Sequence, residues 1–306
     1  MKIVFMGSST FAIPSLRTLK QAQYDVKAVY SQPPRKAGRG KRYKEVPLAE
    51  FAFSQGLKVE QPQTFNDPDV LAVLESYNPD FLVVVAYGLI LPRKVLEIPK
   101  QFSINVHGSF LPFWRGAAPI NHAIFNKDPY TGVTIIKMSE ELDAGPILRQ
   151  EKVMLDHTET FGSLHRVLSE LGAKNLLKTL NNINANEEIL QNEKFVSYAP
   201  KIKKLDAKLD FNSQASALEA RIRGLAPKPG AWFEYKKERF KVFSAEVVEG
   251  NGKAGSIINE NLTIACGKKA LNILEIQRQG KDVMSVSDLL RGFKFKKGDN
   301  VNQSTH

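Results

Sequence analysis

Two separated stretches of the chain carry residue types that can do chemistry together. The first is Asn105-Val106-His107, followed by Gly108; the second is Glu140-Glu141-Leu142-Asp143-Ala144-Gly145-Pro146. Side chains two apart on a strand point to one face, so a strand ending at His107 would present Asn105 and His107 side by side. Gly108 after them allows close approach of backbone or ligand. An amide, an imidazole and a carboxylate around one carbonyl can run acyl transfer without a covalent nucleophile. Asn105 and a protonated His107 would stabilise the oxyanion of a tetrahedral intermediate, and Asp143 would orient the ring. A lone strand-end histidine is more often structural than catalytic, and it is the neighbouring polar residues that tilt the reading.

Other chemistries fit less well. The five histidines, His107, His122, His157, His165 and His306, form no His-Glu-x-x-His pair, so no metal is expected. Ser109 lacks the Gly-x-Ser-x-Gly context of a nucleophile elbow. Gly7-Ser8-Ser9-Thr10 after the first apolar run is not the three-glycine dinucleotide fingerprint, and it reads as a turn opening a substrate cleft. Gly38-Arg39-Gly40-Lys41-Arg42 has a superficial phosphate-loop look, but the required upstream glycine is missing and Arg42 stands where Ser or Thr is needed.

These residues need a scaffold, and the first two thirds of the chain alternate strand and helix signals. Lys2 to Met6, Asp25 to Tyr30, Asp80 to Ala86, Ser103 to His107 and Gly132 to Met138 read as strands. The unbroken apolar run Phe81 to Ala86 is the pattern of a parallel strand covered on both faces. Phe11 to Gln21, Asp67 to Tyr77 and the long Thr160 to Ile183 read as helices, the last with a stripe of Phe161, Leu164, Val167, Leu168, Leu171 and Leu176. Strands alternating with helices imply a doubly wound, mostly parallel α/β sheet. Sites in such sheets lie at the carboxyl ends of strands, where His107 and the segment after Met138 are expected.

The character changes toward the C-terminus. The stretch Asn181 to Lys194 is rich in Asn and Glu and suits a linker. Beyond it, one helical piece at Gln214 to Arg223 precedes short strands at Ala231 to Tyr235, Phe240 to Val248, Gly255 to Ile258, Leu262 to Ala265 and Leu271 to Ile276. That spacing predicts a small OB-like β-barrel, an architecture that often handles nucleic acids. The expected domains are residues 1–189, a linker over 190–207, and a barrel over 208–306.

The chain of 306 residues carries a net charge of +11, and the charge is uneven. Residues 1–50 hold ten Lys and Arg against three Asp and Glu, and residues 201–306 hold twenty against twelve, around a slightly acidic middle. Two basic ends suit a polyanion that touches both, although charge alone fits general solubility equally. The densest basic run is Arg35-Lys36-Ala37-Gly38-Arg39-Gly40-Lys41-Arg42-Tyr43-Lys44, without an acidic residue. Pro33-Pro34 and its glycines make it a flexible excursion, and Arg35, Lys36, Arg39, Lys41 and Arg42 are candidate phosphate ligands acting through counterion release. No run approaches the roughly 18 apolar residues of a membrane span, and the N-terminal run is too short for a signal peptide. Cys266 alone excludes an internal disulfide framework and leaves no role to assign. A cytoplasmic monomer is the expectation.

On these residues the chain resembles the folate-dependent formyltransferase family. Asn105-Val106-His107-Gly108-Ser109-Phe110-Leu111-Pro112 and Leu142-Asp143-Ala144-Gly145 are similar to that family's shared core, and the resemblance covers essentially the whole chain. It implies 10-formyltetrahydrofolate as donor, an amine as acceptor, and Asn105, His107 and Asp143 as the catalytic set. Backbone around Tyr87 to Pro92, with Leu89, Ile90 and Leu91, would hold the pterin, and Ser109, Phe110, Leu111 and Pro112 would line the folate site. Within the family, three features point to initiator methionyl-tRNA as acceptor. They are Phe113-Trp114-Arg115-Gly116-Ala117-Ala118-Pro119-Ile120, the arginine-bearing loop with Arg39, and Arg223 to Trp232 opening the basic second domain. The chain departs from the family where Ser8-Ser9 replaces Thr-Pro, Phe110 replaces Leu, Phe113 replaces Arg, Ala226 replaces Asn, and Tyr43-Lys44-Glu45-Val46 lacks Pro-Ser-Pro. The rival readings are a formyltransferase for a sugar-nucleotide amine, which would not need the basic loop, and a non-catalytic RNA-binding protein, which would not need the polar trio.

Overall fold

The structure, a computed structural model, describes residues 1–37, 42–185 and 187–302. Two compact units are present: one comprises Met1–Pro119, Thr131–Val153 and His165–Ala199, the other Ile120–Tyr130, Met154–Leu164 and Pro200–His306. Among the described residues no helix is long and apolar enough to cross a membrane, and no group of three His, Cys, Asp or Glu is placed to hold a metal.

The first unit opens with β1 (Lys2–Gly7), α1 (Ile13–Gln21) and β2 (Asp25–Tyr30), then a short hairpin of β3 (Arg35–Ala37) and β4 (Arg42–Lys44). Next come α2 (Pro47–Ser54), β5 (Val59–Glu60), α3 (Pro68–Ser76), β6 (Phe81–Val85), α4 (Arg93–Leu96), β7 (Phe102–His107) and β8 (Arg115–Gly116). After α5 (Pro119–Phe125), which from Ile120 onward counts with the second unit, follow β9 (Tyr130–Lys137), β10 (Ile147–Met154), α6 (Phe161–Asn181), which joins the first unit from His165, and β11 (Tyr198–Ala199). The helices begin where the sequence supplies a start: Asp67 accepts from Asp69 N–H ahead of α3, and proline stands at the first turn of α1, α2 and α3.

The main sheet has the order β10-β9-β7-β6-β1-β2-β5. β1, β2, β5, β6 and β7 run parallel, and β9 is antiparallel to β7. This is the mostly parallel doubly wound sheet expected. Every residue of β6 is buried, as its unbroken apolar sequence required. One sheet face packs Val4, Met6, Ala28, Tyr30, Leu82 and Val84 against Phe65, Leu74 and Val95. On α6, Gly172 is buried and a methyl group there would lie 2.8 Å from Val106 Cγ1 of β7, so helix and strand touch only because the side chain is missing. The buried stripe of α6 runs through Leu168, Ala173, Leu176 and Leu180. Val167, expected in that stripe, is 48% exposed.

The antiparallel β9 corrects one expectation. Lys137 pairs with Ile104 and Met138 N–H donates to Ser103 O, so the segment after Met138 leaves beside the start of β7, not at its carboxyl end. Asp143 reaches the end of β7 because the loop between β9 and β10 folds back.

The second unit contains α7 (Ala215–Leu225), β12 (Ala231–Tyr235), β13 (Glu238–Val248), β14 (Thr263–Ala265), β15 (Ala270–Arg278), β16 (Val283–Ser285) and α8 (Val286–Leu290). Its antiparallel sheet has the order β12-β13-β15-β14, with β16 also on β15. Register shifts between Val242 and Ala245 curl the eleven-residue β13, as expected of the small OB-like barrel. Phe211, Phe233, Phe240, Leu271, Ile273 and Ile276 fill its core with Leu218 and Ile222 of α7. Gly255 to Ile258, read as a strand, forms only the isolated bridges Ser256–Asn300 and Ile257–Ile264.

Candidate active site

β7 delivers the first two side chains as its alternation dictates. Asn105 is 9% and His107 5% exposed, next to β6 through Val84 and to β9 through Ile136 and Thr134. The folded-back loop brings Asp143 to them. Its Oδ1 accepts from Asn105 Nδ2 at 3.0 Å and its Oδ2 from Gly116 N–H at 2.8 Å. His107 Nδ1 stands 3.6 Å from Asp143 Oδ2, longer than a hydrogen bond. The structure therefore brings together all three residues that the sequence singled out.

What orients the ring is a group the sequence did not suggest. His107 Nε2 lies 2.9 Å from the Trp114 carbonyl, which can only accept, so this nitrogen carries a proton. Trp114 takes φ +63° and Asp143 φ +50°, left-handed conformations uncommon outside glycine. Gly116, at φ +113°, supplies the N–H that holds the carboxylate; a Cβ there would meet Ala199 O at 2.9 Å. Local backbone strain of this kind persists only where the surroundings over-determine it.

The stretch Ser109 to Pro112 is fixed by a second network. Thr134 Oγ1 donates to Ser109 O and accepts from Leu111 N–H, and Gln150 Nε2 donates to Leu111 O. Ser109 Oγ donates to Phe113 O at 2.6 Å. Ser109 and Leu111 are thereby buried, while Phe110 and Pro112 are partly exposed. On the turn after β6, Leu89 and Leu91 are half-buried and Ile90 is 94% exposed. Ser8 Oγ donates to Tyr87 O and accepts from Gln32 N–H, tying this turn to the Gly7 turn and to the end of β2.

The basic loop is more ordered at its base than a flexible excursion. Arg35, Lys36 and Ala37 pair with Lys44, Tyr43 and Arg42 across β3 and β4. Arg35, Lys36 and Arg42 are exposed, and Lys36 Nζ lies 5.6 Å from the centre of the Tyr43 ring. Gln61 Nε2 donates to Glu45 Oε2 at 2.6 Å and to Gln32 O, pinning the foot of the hairpin. Arg39 and Lys41 lie outside the described residues.

Two residues at the site were missed. Arg115 is 2% exposed, its guanidinium held by Glu193 and by Gln191 Oε1. Gln191 Nε2 donates to the carbonyls of Asp143 and Gly145. Arg115 stands in the Phe113 to Ile120 stretch, read there for the acceptor and not for the trio, and no local signal marks Gln191, which sits in a polar stretch read as linker.

Comparison with known proteins matches this architecture. A family model described as Formyl transferase matches residues 1–180, and one described as Formyl transferase, C-terminal domain, matches residues 201–294. The methionyl-tRNA formyltransferase of Rhizorhabdus wittichii is 42% identical over 300 residues, covering 97% of this chain and 97% of that protein. That of Paramagnetospirillum magneticum is 42% identical over 301 residues, covering 97% and 99%. In fold, the structure of HypX from Aquifex aeolicus in complex with tetrahydrofolic acid superposes with a TM-score of 0.66 at 18% identity, covering 98% of this chain and 50% of that one. With both models matched in order along one polypeptide, and relatives of such identity over nearly their full length, the chain belongs to the formyl transferase family.

Proposed function

We propose that the chain transfers the formyl group of 10-formyltetrahydrofolate to the α-amino group of initiator methionyl-tRNA, and that Asn105, His107 and Asp143 carry the step. The observation that supports the roles is the Asp143 carboxylate, which accepts from the Asn105 amide through Oδ1 and from the Gly116 N–H through Oδ2, with His107 Nδ1 3.6 Å from Oδ2. The neutral methionyl amine attacks the formyl carbon, forming the new C–N bond, and negative charge develops on the formyl oxygen. Asn105 gives one amide hydrogen to Asp143 and offers the other to that oxygen. With Nε2 of His107 donating to the Trp114 carbonyl, the doubly protonated ring offers its Nδ1–H to the same charge. Collapse breaks the bond to N10 of the folate, and the proton lost by the amine ends on N10. A free α-amino group has a reference pKa of about 7.7–8.0, so enough is neutral near pH 7 to need no dedicated base. Orientation and oxyanion stabilisation supply the rate.

The exposed Ile90 and the partly exposed Phe110 and Pro112 offer the apolar surface for the folate, with Leu89 and Leu91 beside them and Ser109 and Leu111 as the buried scaffold behind. Arg35, Lys36 and Arg42, with Arg39 and Lys41 of the same loop, hold tRNA phosphates. The protein works as a monomer in the cytoplasm, where charged initiator tRNA is found. The test is formylation by the purified protein of methionyl-tRNA against an amino-sugar nucleotide, each with 10-formyltetrahydrofolate. Transfer to the tRNA that falls steeply with added salt is expected; transfer to the sugar alone would overturn the acceptor assignment.

A further inference from the structure

The segment from Ile189 to Ala199 is a strap across the two loops that build the site. At its start Ile189 and Ile147 exchange backbone hydrogen bonds of 2.8 and 2.9 Å, just beyond the Asp143 loop. At its end Tyr198 and Ala199 pair in parallel with Arg115 and Gly116. Between these anchors Ser197 Oγ accepts from Trp114 N–H and Ser197 O from Arg115 N–H, each at 2.9 Å. The strap thus grips Trp114, whose carbonyl holds His107, and Gly116, whose N–H holds Asp143.

Gln191 joins the two loops. Its Nε2 donates to Asp143 O at 2.7 Å and to Gly145 O at 2.8 Å, while its Oε1 accepts from Arg115 Nε at 3.0 Å. All of its amide capacity except one acceptor lone pair is therefore directed at the backbone of one catalytic loop and the buried cation of the other. Arg115 is in turn clamped by Glu193, two residues along the strap. Both loops contain left-handed residues, Asp143 and Trp114, that would relax without such bonds.

We infer that Gln191 is a positioning residue for the formyl transfer, setting the place of the Asp143 carboxylate, and through it of the Asn105 amide, while touching neither substrate. This rests on the reading that Asn105, His107 and Asp143 perform the step. A carboxylate held by one N–H and one amide follows its own backbone, and a misplacement of about 1 Å at a reacting centre can lower a rate about 100-fold.

Four proteins separate the possibilities: wild type, Asp143→Asn, Gln191→Met and Gln191→Glu, each assayed for kcat, KM and melting temperature with methionyl-tRNA and 10-formyltetrahydrofolate. Methionine keeps the volume of Gln191 and removes all three bonds. Glutamate keeps the acceptor for Arg115 but turns the donors toward the two carbonyls into lone pairs. Both Gln191 variants are expected to lose about 10- to 100-fold in kcat, with KM for either substrate within about 3-fold and the melting temperature of Gln191→Glu close to wild type. A near-normal kcat in Gln191→Glu, or a loss of activity that follows loss of folded protein, overturns the inference. If Asp143→Asn is slow while Gln191→Met is not, only the strap assignment falls. If Asp143→Asn itself turns over normally, the reading of the catalytic trio falls with it.

Discussion

The end of β7 and the β3–β4 hairpin belong to one compact unit, yet they are built in opposite ways. Around β7, Asn105 and His107 are buried, and Asp143 has a named partner for each oxygen. On the hairpin, Arg35, Lys36 and Arg42 stand in solvent, and the side-chain bond of Gln61 to Glu45 holds its foot. On the proposed roles, the contrast follows from what each region has to recognise. A developing oxyanion is small and short-lived, and dipoles already aimed at it avoid reorganisation during the reaction. A phosphate backbone is large and permanent, and exposed surface cations serve it through counterion release.

Replacement of the buried groups should do the most damage. Asn105→Ala or His107→Ala is expected to lower kcat about 10²- to 10³-fold, the loss seen when one oxyanion donor is removed, with an unchanged far-ultraviolet circular dichroism spectrum. A change in KM alone would show that the buried region works by ground-state binding. Neutralising the hairpin with Arg35→Ala, Lys36→Ala and Arg42→Ala together should act on kcat/KM and flatten its logarithmic dependence on salt by about 2 to 3 units, near one for each lost phosphate contact. If the salt slope stays the same, the two regions do not divide the work as described.

Smaller effects sharpen the picture of the buried side. Gly172→Val should destabilise by about 3 kcal/mol, because a stiff branched side chain would enter the space already filled by Val106, and thermal unfolding would read it as a fall of several degrees. Cys266 should matter least. Burial pushes its thiol up to about 11, so it stays protonated near neutral pH. Native protein treated with iodoacetamide should keep its activity, and Cys266→Ala should leave kcat unchanged.

The frame of the molecule was legible because its strands are buried on both faces and read as apolar runs. Asp80 to Ala86 became β6 with one residue trimmed at each end, and Ala231 to Tyr235 became β12 without change. β10 was not legible. At the edge of the sheet, it carries Arg149, Gln150, Glu151 and Lys152 in sequence and alternates only weakly in burial. The hairpin was read as a flexible excursion because its glycines hid the pairing of Arg35 with Lys44. Of the candidate site, the residue types at Asn105, His107 and Asp143 suggested the chemistry proposed for it. Their meeting depends on the antiparallel turn of β9, and the grip of Trp114, Arg115 and Gln191 on contacts as distant as 83 positions along the chain. Hydrophobic period is a local property, and polar partners at that range leave no trace in it.

The central claim is that Asn105 and Asp143 act as one unit on one oxygen. It is tested most directly by single-turnover formylation with Asn105→Ala, Asp143→Asn and the double variant at saturating substrates. Residues that act together are non-additive, so the double variant should be no more than a few-fold slower than the slower single one. Losses that multiply, each variant lowering the rate by its own full factor, would mean that the two side chains work independently and that the shared hydrogen bond between them is incidental to the reaction.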